Sequence, residues 1–257
     1  PRQGARRTGA RTRPRARSSI TRSSGPGPSG SRFTHWQACQ HSPGAMTALR
    51  EVVDRVVSGR VPPDAAAGLA LTALTPLWKK NGRLRPVAAG EALRRLAGKA
   101  VAAEHSAALA EAAGPRQFGV GTPGGTEALS HAAQVEAGRR PNAVWVALDL
   151  RNAFPSLDRD RVLAAVGEHA PQLLSYARLF LGRRSYCRYV GANGEGEALH
   201  ADQGVDQGDP LAPALLAVTI REPLERLEGR LRELLEQEGW DPGAAADAVR
   251  VRAYLDD

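Results

Sequence analysis

Ala143-Val-Trp-Val-Ala-Leu-Asp149-Leu150 and the last ten residues, Ala248 to Asp257, decide how this sequence is read. The first is an apolar run of the length and type of a buried strand. Ala248 to Tyr254 predicts a second strand, followed by Leu255-Asp256-Asp257. Each run therefore ends in a carboxylate. A strand-end Asp commonly closes a turn, and for Asp149 alone that explanation suffices. Asp256 and Asp257 differ, because two adjacent carboxylates on a tight turn repel unless a cation, Lys or Arg neutralises them. Carboxylates gathered at strand ends suit hard, oxygen-seeking divalent cations. Two such ions about 3.5–4 Å apart activate a hydroxyl nucleophile and stabilise a leaving oxygen in phosphoryl transfer. The expectation is that Asp149 and Asp256 lie on adjacent antiparallel strands and share a cation.

Around these runs the pattern is mixed. Ala48 to Val57 reads as a short helix, and Asp64 as the cap of a second, Ala-rich one that ends before Pro76. Leu77 to Ala88 predicts two strands around Asn81–Gly82, and Ser185 to Ala201 a hairpin around Asn193–Gly194. Glu91 to Ala113 predicts one long helix with Leu93, Leu96, Ala100, Ala103 and Ala107 on its buried face. Thr126 is placed to cap the helix after the loop Gly119–Gly125. Asp158 is placed to cap one around Arg161 to Glu168, and Pro171 opens another. A last long helix runs from about Pro210 to Glu236. Helices mixed with hairpins give an α+β class.

The charge is unevenly spread. Of the net +8, residues 1–50 supply ten Arg and no Lys, Asp or Glu, so the rest of the chain is slightly acidic. Residues 1–45, rich in Arg, Ser, Gly and Pro, are expected to be a disordered basic tail. Three readings of the tail stand side by side: a nucleic-acid-binding arm, a transit peptide, and sequence upstream of the true start, since the only Met is Met46. The body, with 42% apolar and 24% charged residues, can bury a core.

Several classes are excluded. No run approaches the roughly 18–20 apolar residues of a membrane helix, so no membrane partner is expected. Two distant cysteines, Cys39 and Cys187, form neither a disulfide scaffold nor a cysteine zinc site, and the six His lack paired-ligand spacing. Gly119-Val-Gly121-Thr-Pro-Gly124 satisfies G-x-G-x-x-G, but a predicted helix rather than a strand precedes it, which argues against a dinucleotide site.

With these residues in view, the chain resembles a reverse transcriptase of the kind found in non-LTR retrotransposons and similar elements, from about Leu77 to its end. Lys79-Lys-Asn-Gly-Arg-Leu-Arg-Pro86 resembles the fingers block K-x-x-G-x-x-R-P. Gln117-Phe-Gly119 with Thr126-Glu-Ala128 resembles the next fingers block. Asp149-Leu-Arg-Asn-Ala-Phe154 is similar to palm motif A, Gln207-Gly-Asp-Pro-Leu-Ala-Pro213 to motif B, and Tyr254-Leu-Asp-Asp257 to the Y-x-D-D of motif C. Each block alone is weak; their occurrence in the family's order carries the resemblance.

The resemblance implies right-hand polymerase fingers and an incomplete palm over residues 46–257, the palm mainly 143–169 and 207–257. It implies catalytic, metal-binding carboxylates at Asp149, Asp256 and Asp257, holding two Mg²⁺ (or Mn²⁺). Lys79 (or Lys80) and Arg85 would meet the triphosphate, for which a guanidinium fork is suited. Phe154 would exclude a 2′-hydroxyl, although a core Phe after a strand is the plainer reading. Gln207 and Gly208 would lie near the nucleotide, glycine allowing close backbone approach. Tyr254 would lie near the primer end. The implied partners are an RNA template, a DNA or RNA primer and dNTPs.

Val120–Gly121 stand where many relatives carry Phe-Arg, so an arginine contact from that loop is not implied. The family's thumb is not found before Asp257, and the expectation is that residues 1–257 alone do not extend a primer. The alternatives are a catalytically inactive RNA-binding remnant of a mobile element and an RNA-templated RNA polymerase. Phe154, and Leu255 rather than Gly before the Asp pair, count against the second. The sequence assigns no compartment beyond favouring nucleus or cytoplasm over an organelle, and no oligomeric state or protein partner.

Overall fold

In the computed structural model of the protein, residues 25–78, 80, 82, 84–190 and 195–255 are described. Both expected hairpins form, the first displaced: its leading strand begins at Thr72, in the stretch read as the end of the Ala-rich helix, rather than at Leu77. β1 (Thr72–Trp78) pairs antiparallel with β2 (Leu84–Gly90), Trp78 opposite Leu84. Between them Gly82 has φ +75°, a conformation that glycine takes without a side-chain penalty. β3 (Tyr186–Val190) pairs antiparallel with β4 (Gly196–His200). The predicted turns fall in part outside the described residues: Asn81 in the first, Asn193 and Gly194 in the second. Parallel pairing of β1 with β3, Thr72 opposite Cys187, joins the two hairpins into one mixed sheet in the order β2-β1-β3-β4. With the helices around it, the fold is α+β.

The helices follow local signals where those signals are strong. α1 is Phe33–Gln37. α2 is Pro43–Val57; the Ser42 hydroxyl accepts from the Ala45 N–H, and Pro43 fills the first turn, where its missing N–H costs nothing. α3 is Pro63–Ala70, with Asp64 inside its first turn rather than at the cap. α8 (Arg159–His169) is capped as expected by Asp158, which accepts from the Arg161 N–H at 2.9 Å. A 3₁₀ turn at Pro171–Leu173 leads into α9 (Leu174–Leu181). α10 (Ala212–Gln237) is the long helix, and α11 is Pro242–Ala248. The glycine loop at 119–125 leads into α6 (Gly125–Arg139), whose cap is Gly124 and not Thr126.

The long helix expected over Glu91–Ala113 is two: α4 (Ala92–Glu104) and α5 (Ser106–Ala113), broken at His105. The break moves the buried face. Leu96 and Ala100 are buried as expected, whereas Ala103 and Ala107 are exposed, and Ala92, Ala97 and Val101 take their place. The core lies among α2, α4, α8, α9 and α10, with Leu96, Val101, Val162, Val166, Leu173 and Leu216 essentially dry.

Two strand expectations fail. Residues 143–150 form no strand among the described residues, and every one is exposed, Val144 at 88% and Val146 at 75%. Residues 249–252 likewise form no strand; only Ala253 makes an isolated bridge, to Gln117. A strand is completed by a neighbour that supplies hydrogen bonds. The apolar pattern states what the run tolerates and does not bring that neighbour.

The tail is also shorter than the 45 residues expected. Phe33 is 2% exposed and packs in the core, with the Arg95 guanidinium 4.9 Å and the Lys99 ammonium 4.9 Å from its ring centre. Ser29 donates twice to the Glu91 carboxylate, from N–H at 2.7 Å and from Oγ at 2.8 Å. Arg95 donates to the Gly25 carbonyl at 2.6 Å. Phe33 in the core, with Trp36 and Cys39 packed against it, and these hydrogen bonds hold residues of the 25–45 segment to the body; the rest of the tail lies outside the described residues. Phe33→Ala is therefore expected to cost roughly 3–5 kcal/mol of stability, measured by urea denaturation. A cost below about 0.5 kcal/mol would mean a tail that does not dock.

Candidate functional site

Three seams bring together blocks that are far apart in the chain. The first joins the segment after Asp149 to the approach to Gln207. Asn152 turns in the left-handed region (φ 52°), which asparagine tolerates, and starts the short helix α7 (Ala153–Ser156). Val205 N–H donates to the Phe154 carbonyl at 2.9 Å and Gly204 N–H to Leu157 at 2.7 Å. A Cβ on Gly204 would sit 2.5 Å from the backbone of Pro155. Arg159, buried, ties the same loop down by donating to the carbonyls of Gly204 and Arg183 and to Ser185 Oγ. Phe154 is 8% exposed and belongs to the core cluster.

The second seam sets Gln207–Gly208 against β2. Ala88 N–H donates to the Gln207 carbonyl at 3.3 Å. Gly208 has φ +134°, and a Cβ there would meet the Ala88 carbonyl at 2.9 Å. The close approach at this glycine is to the backbone of β2. Gly208→Ala combines a conformation forbidden to L side chains with a backbone clash. It is expected to cost about 1–3 kcal/mol in urea denaturation; a neutral substitution would show that the loop does not lie there.

The turn carrying Gln207–Gly208 is locked by a residue the sequence left unremarked. Arg94 on α4 is 4% exposed and pairs at 2.8 Å with both Asp206 and Asp209, the two carboxylates flanking Gln207–Gly208. Burial works against its charge, but Asp209 and Asp206 outweigh that cost and hold it firmly protonated. Its guanidinium lies 4.5 Å from the Phe180 ring centre. Tyr176 donates to the Arg94 carbonyl, and burial pushes the Tyr176 phenol well above its usual pKa, so it stays neutral. Asp209 also accepts from the Leu211 N–H at 2.9 Å, fixing the entry to α10.

The third seam joins Gln117-Phe-Gly119 to Ala253–Leu255. Ala253 N–H donates to the Arg116 carbonyl and Phe118 N–H to the Ala253 carbonyl, both at 2.8 Å. Arg116 is in turn held by Glu225 and Glu228 of α10. Tyr254 is half-buried, and a Cβ on Gly125 would touch its ring at 3.4 Å. The glycines of the 119–125 loop serve this packing: Gly121 has φ +73° and no room for a side chain beside Ala110. Helix α5, not a strand, precedes the loop, as expected for a false dinucleotide motif.

The remaining site residues are not gathered. Asp149 is exposed, lies on no strand, and has no ion pair among the described residues. Asp256, Asp257 and Lys79 lie outside the described residues, so the separation of Asp149 from Asp256 does too. Lys80 is exposed, and so is Arg85, which has no ion pair among the described residues. Arg85 stands three positions along β2 from Ala88, about 10 Å of strand from the Gln207–Gly208 seam. Three aspartates form the donor set of a hard divalent cation, and the free carboxylate of Asp149 fits that role. Among the described residues no three His, Cys, Asp or Glu form a metal-binding group.

No family model matches the chain and no curated protein matches it significantly. Among the described residues no helix is long and apolar enough to cross a membrane.

Proposed function

We propose that this chain is the fingers and palm of a polymerase that copies RNA into DNA. What supports the reading most is the order of five motif blocks, of which two, Gln117–Gly119 and Tyr254–Leu255, are joined to each other, a third, Gln207–Gly208, lies beside β2, and a fourth, at Phe154, is bonded to Val205 just ahead of the Gln207 block. In this reading a primer 3′-hydroxyl attacks the α-phosphate of a dNTP. The new P–O bond forms as the α–β phosphoanhydride breaks; the hydroxyl proton passes to solvent and pyrophosphate leaves. Two divalent cations, when bound, supply Lewis-acid stabilisation of the attacking and leaving oxygens, with Asp149, Asp256 and Asp257 as their ligands. The exposed guanidinium of Arg85 meets the triphosphate, and Gln207–Gly208 lies beside the nucleotide, held in place through Asp206 and Asp209 by Arg94. Phe154, packed in the core cluster, takes the plainer role of a core residue, and no contact with the sugar is assigned to it. Catalysis is mostly positioning and charge neutralisation.

The second reading, a non-catalytic RNA-binding remnant, is favoured by one observation: 143–150 is unpaired, which leaves Asp149 without a sheet to hold it. Primer extension on an RNA template, by the protein expressed from its whole open reading frame, separates the readings. Incorporation of dNTPs with Mg²⁺ supports the proposal. Incorporation of NTPs in preference points to an RNA polymerase. RNA binding with neither points to the remnant.

A further inference from the structure

Gln117 is a buried polar side chain with two of its three hydrogen bonds made to one neighbour, Leu255. It is 3% exposed. Its Oε1 accepts from the Leu255 N–H at 2.7 Å and from the Gly119 N–H at 2.9 Å, and its Nε2 donates to the Leu255 carbonyl at 3.4 Å. Both backbone groups of Leu255 are thus bound by a single amide. Leu255 itself has φ 56°, a left-handed conformation that a bulky residue adopts only where its surroundings impose it. Gly119 presses on the same residue: a Cβ there would lie 2.9 Å from the Leu255 nitrogen and 2.7 Å from its Cγ. Just upstream, Phe118 and Ala253 add the backbone bond described above. A strained residue, a buried amide that holds it and a glycine that makes room for it meet at the position immediately before Asp256 and Asp257.

We infer that Gln117 is a positioning residue which, by clamping Leu255 in its left-handed turn, fixes the direction in which the backbone delivers Asp256 and Asp257. The inference rests on the polymerase reading of those two carboxylates. It gives the second fingers block a task within the palm: the block sets the carboxylates through main-chain hydrogen bonds and touches neither substrate nor metal. Because errors of about 1 Å at a reacting centre cost on the order of a hundredfold in rate, a released clamp acts on turnover. Nucleotide affinity, which in this reading depends on Arg85 and the Gln207–Gly208 loop, is left in place.

The test compares wild type with Gln117→Met, Gln117→Glu and Gly119→Ala in protein expressed from the whole open reading frame. Methionine keeps the length and loses the hydrogen bonds; glutamate keeps an acceptor for the two N–H groups but replaces the donor to the Leu255 carbonyl with a second oxygen. Gly119→Ala leaves Gln117 intact and displaces Leu255 instead. Amide exchange at Leu255 and single-nucleotide primer extension are the readouts. In Gln117→Met, exchange at Leu255 is expected to quicken at least about tenfold and kcat to fall about 30- to 100-fold, with KM for the dNTP within about threefold. Gln117→Glu recovers neither, because its second oxygen would face the Leu255 carbonyl and its charge would be buried. Gly119→Ala reproduces the kcat loss, so the outcome does not depend on one variant folding. Wild-type kcat in Gln117→Met despite fast exchange at Leu255 overturns the inference and leaves the polymerase reading standing. A wild-type protein that incorporates no dNTP overturns that reading, and the inference with it.

Discussion

Asp149→Asn is expected to lower dNTP incorporation about a thousandfold or more, while the fold stays intact. The magnitude follows from the task assigned to the side chain. Removing one preorganised group that stabilises transition-state charge costs about 10²–10³ in rate, and a ligand shared between two cations loses part of both. The stability side is favourable to the experiment: Asp149 is exposed and makes no ion pair among the described residues, so nothing in the core depends on its charge. A stopped assay with Mg²⁺, alongside urea denaturation, checks both halves. Incorporation within about threefold of wild type would remove Asp149 from the metal site and, with it, the argument that begins from its place at the end of the apolar run.

Arg94→Met is expected to cost about 3–5 kcal/mol, the usual penalty for breaking one side of a buried ion pair. Methionine fills much of the volume but leaves the buried carboxylate of Asp209 and the partly buried one of Asp206 without their cation. Adding Asp206→Asn and Asp209→Asn to Arg94→Met should recover part of the loss, because the uncompensated charge, rather than lost attraction, dominates it. Urea denaturation of the single and triple variants measures this. A single variant that loses less than about 1 kcal/mol would mean that Arg94 is solvated and does not lock the Gln207–Gly208 turn.

Much of the fold is legible where the determinants are local. Gly82 between the first pair of strands and Asp158 at a helix start act within a few residues; the second hairpin and α8 form as read, and the first hairpin forms with its leading strand shifted to Thr72–Trp78. What is not legible depends on partners distant in sequence. Arg94 and Arg95 look like solvent-facing positions of a helix; both are buried, because Asp206 and Asp209 arrive from more than a hundred residues downstream to neutralise one of them, and Phe33 and Gly25 cover the other. Gln117 shows no special character in the sequence beyond its motif, since the backbone it clamps belongs to the far end of the chain. The break at His105 has no punctuating Gly or Pro, so an Ala-rich run reads as continuous. The apolar run at 143–150 shows the reverse error: its composition is that of a buried strand, yet burial needs a neighbouring strand that composition cannot specify. Of the site, Phe154, Gln207, Gly208 and Tyr254 are drawn into the seams, whereas Asp149 and Arg85 stand exposed and apart.

In the polymerase reading, Asp149 shares its cations with Asp256 and Asp257. Mn²⁺ binding, read from the electron paramagnetic resonance signal of the free ion, tests it on the primer–template complex of the protein from its whole open reading frame. Asp149→Asn and Asp256→Asn are each predicted to weaken Mn²⁺ binding at least about tenfold, since even residues that only support metal ligands cost 10–100-fold. Mn²⁺ affinity that falls in Asp256→Asn but is unchanged in Asp149→Asn would contradict the claim, because the two carboxylates would then hold no cation in common.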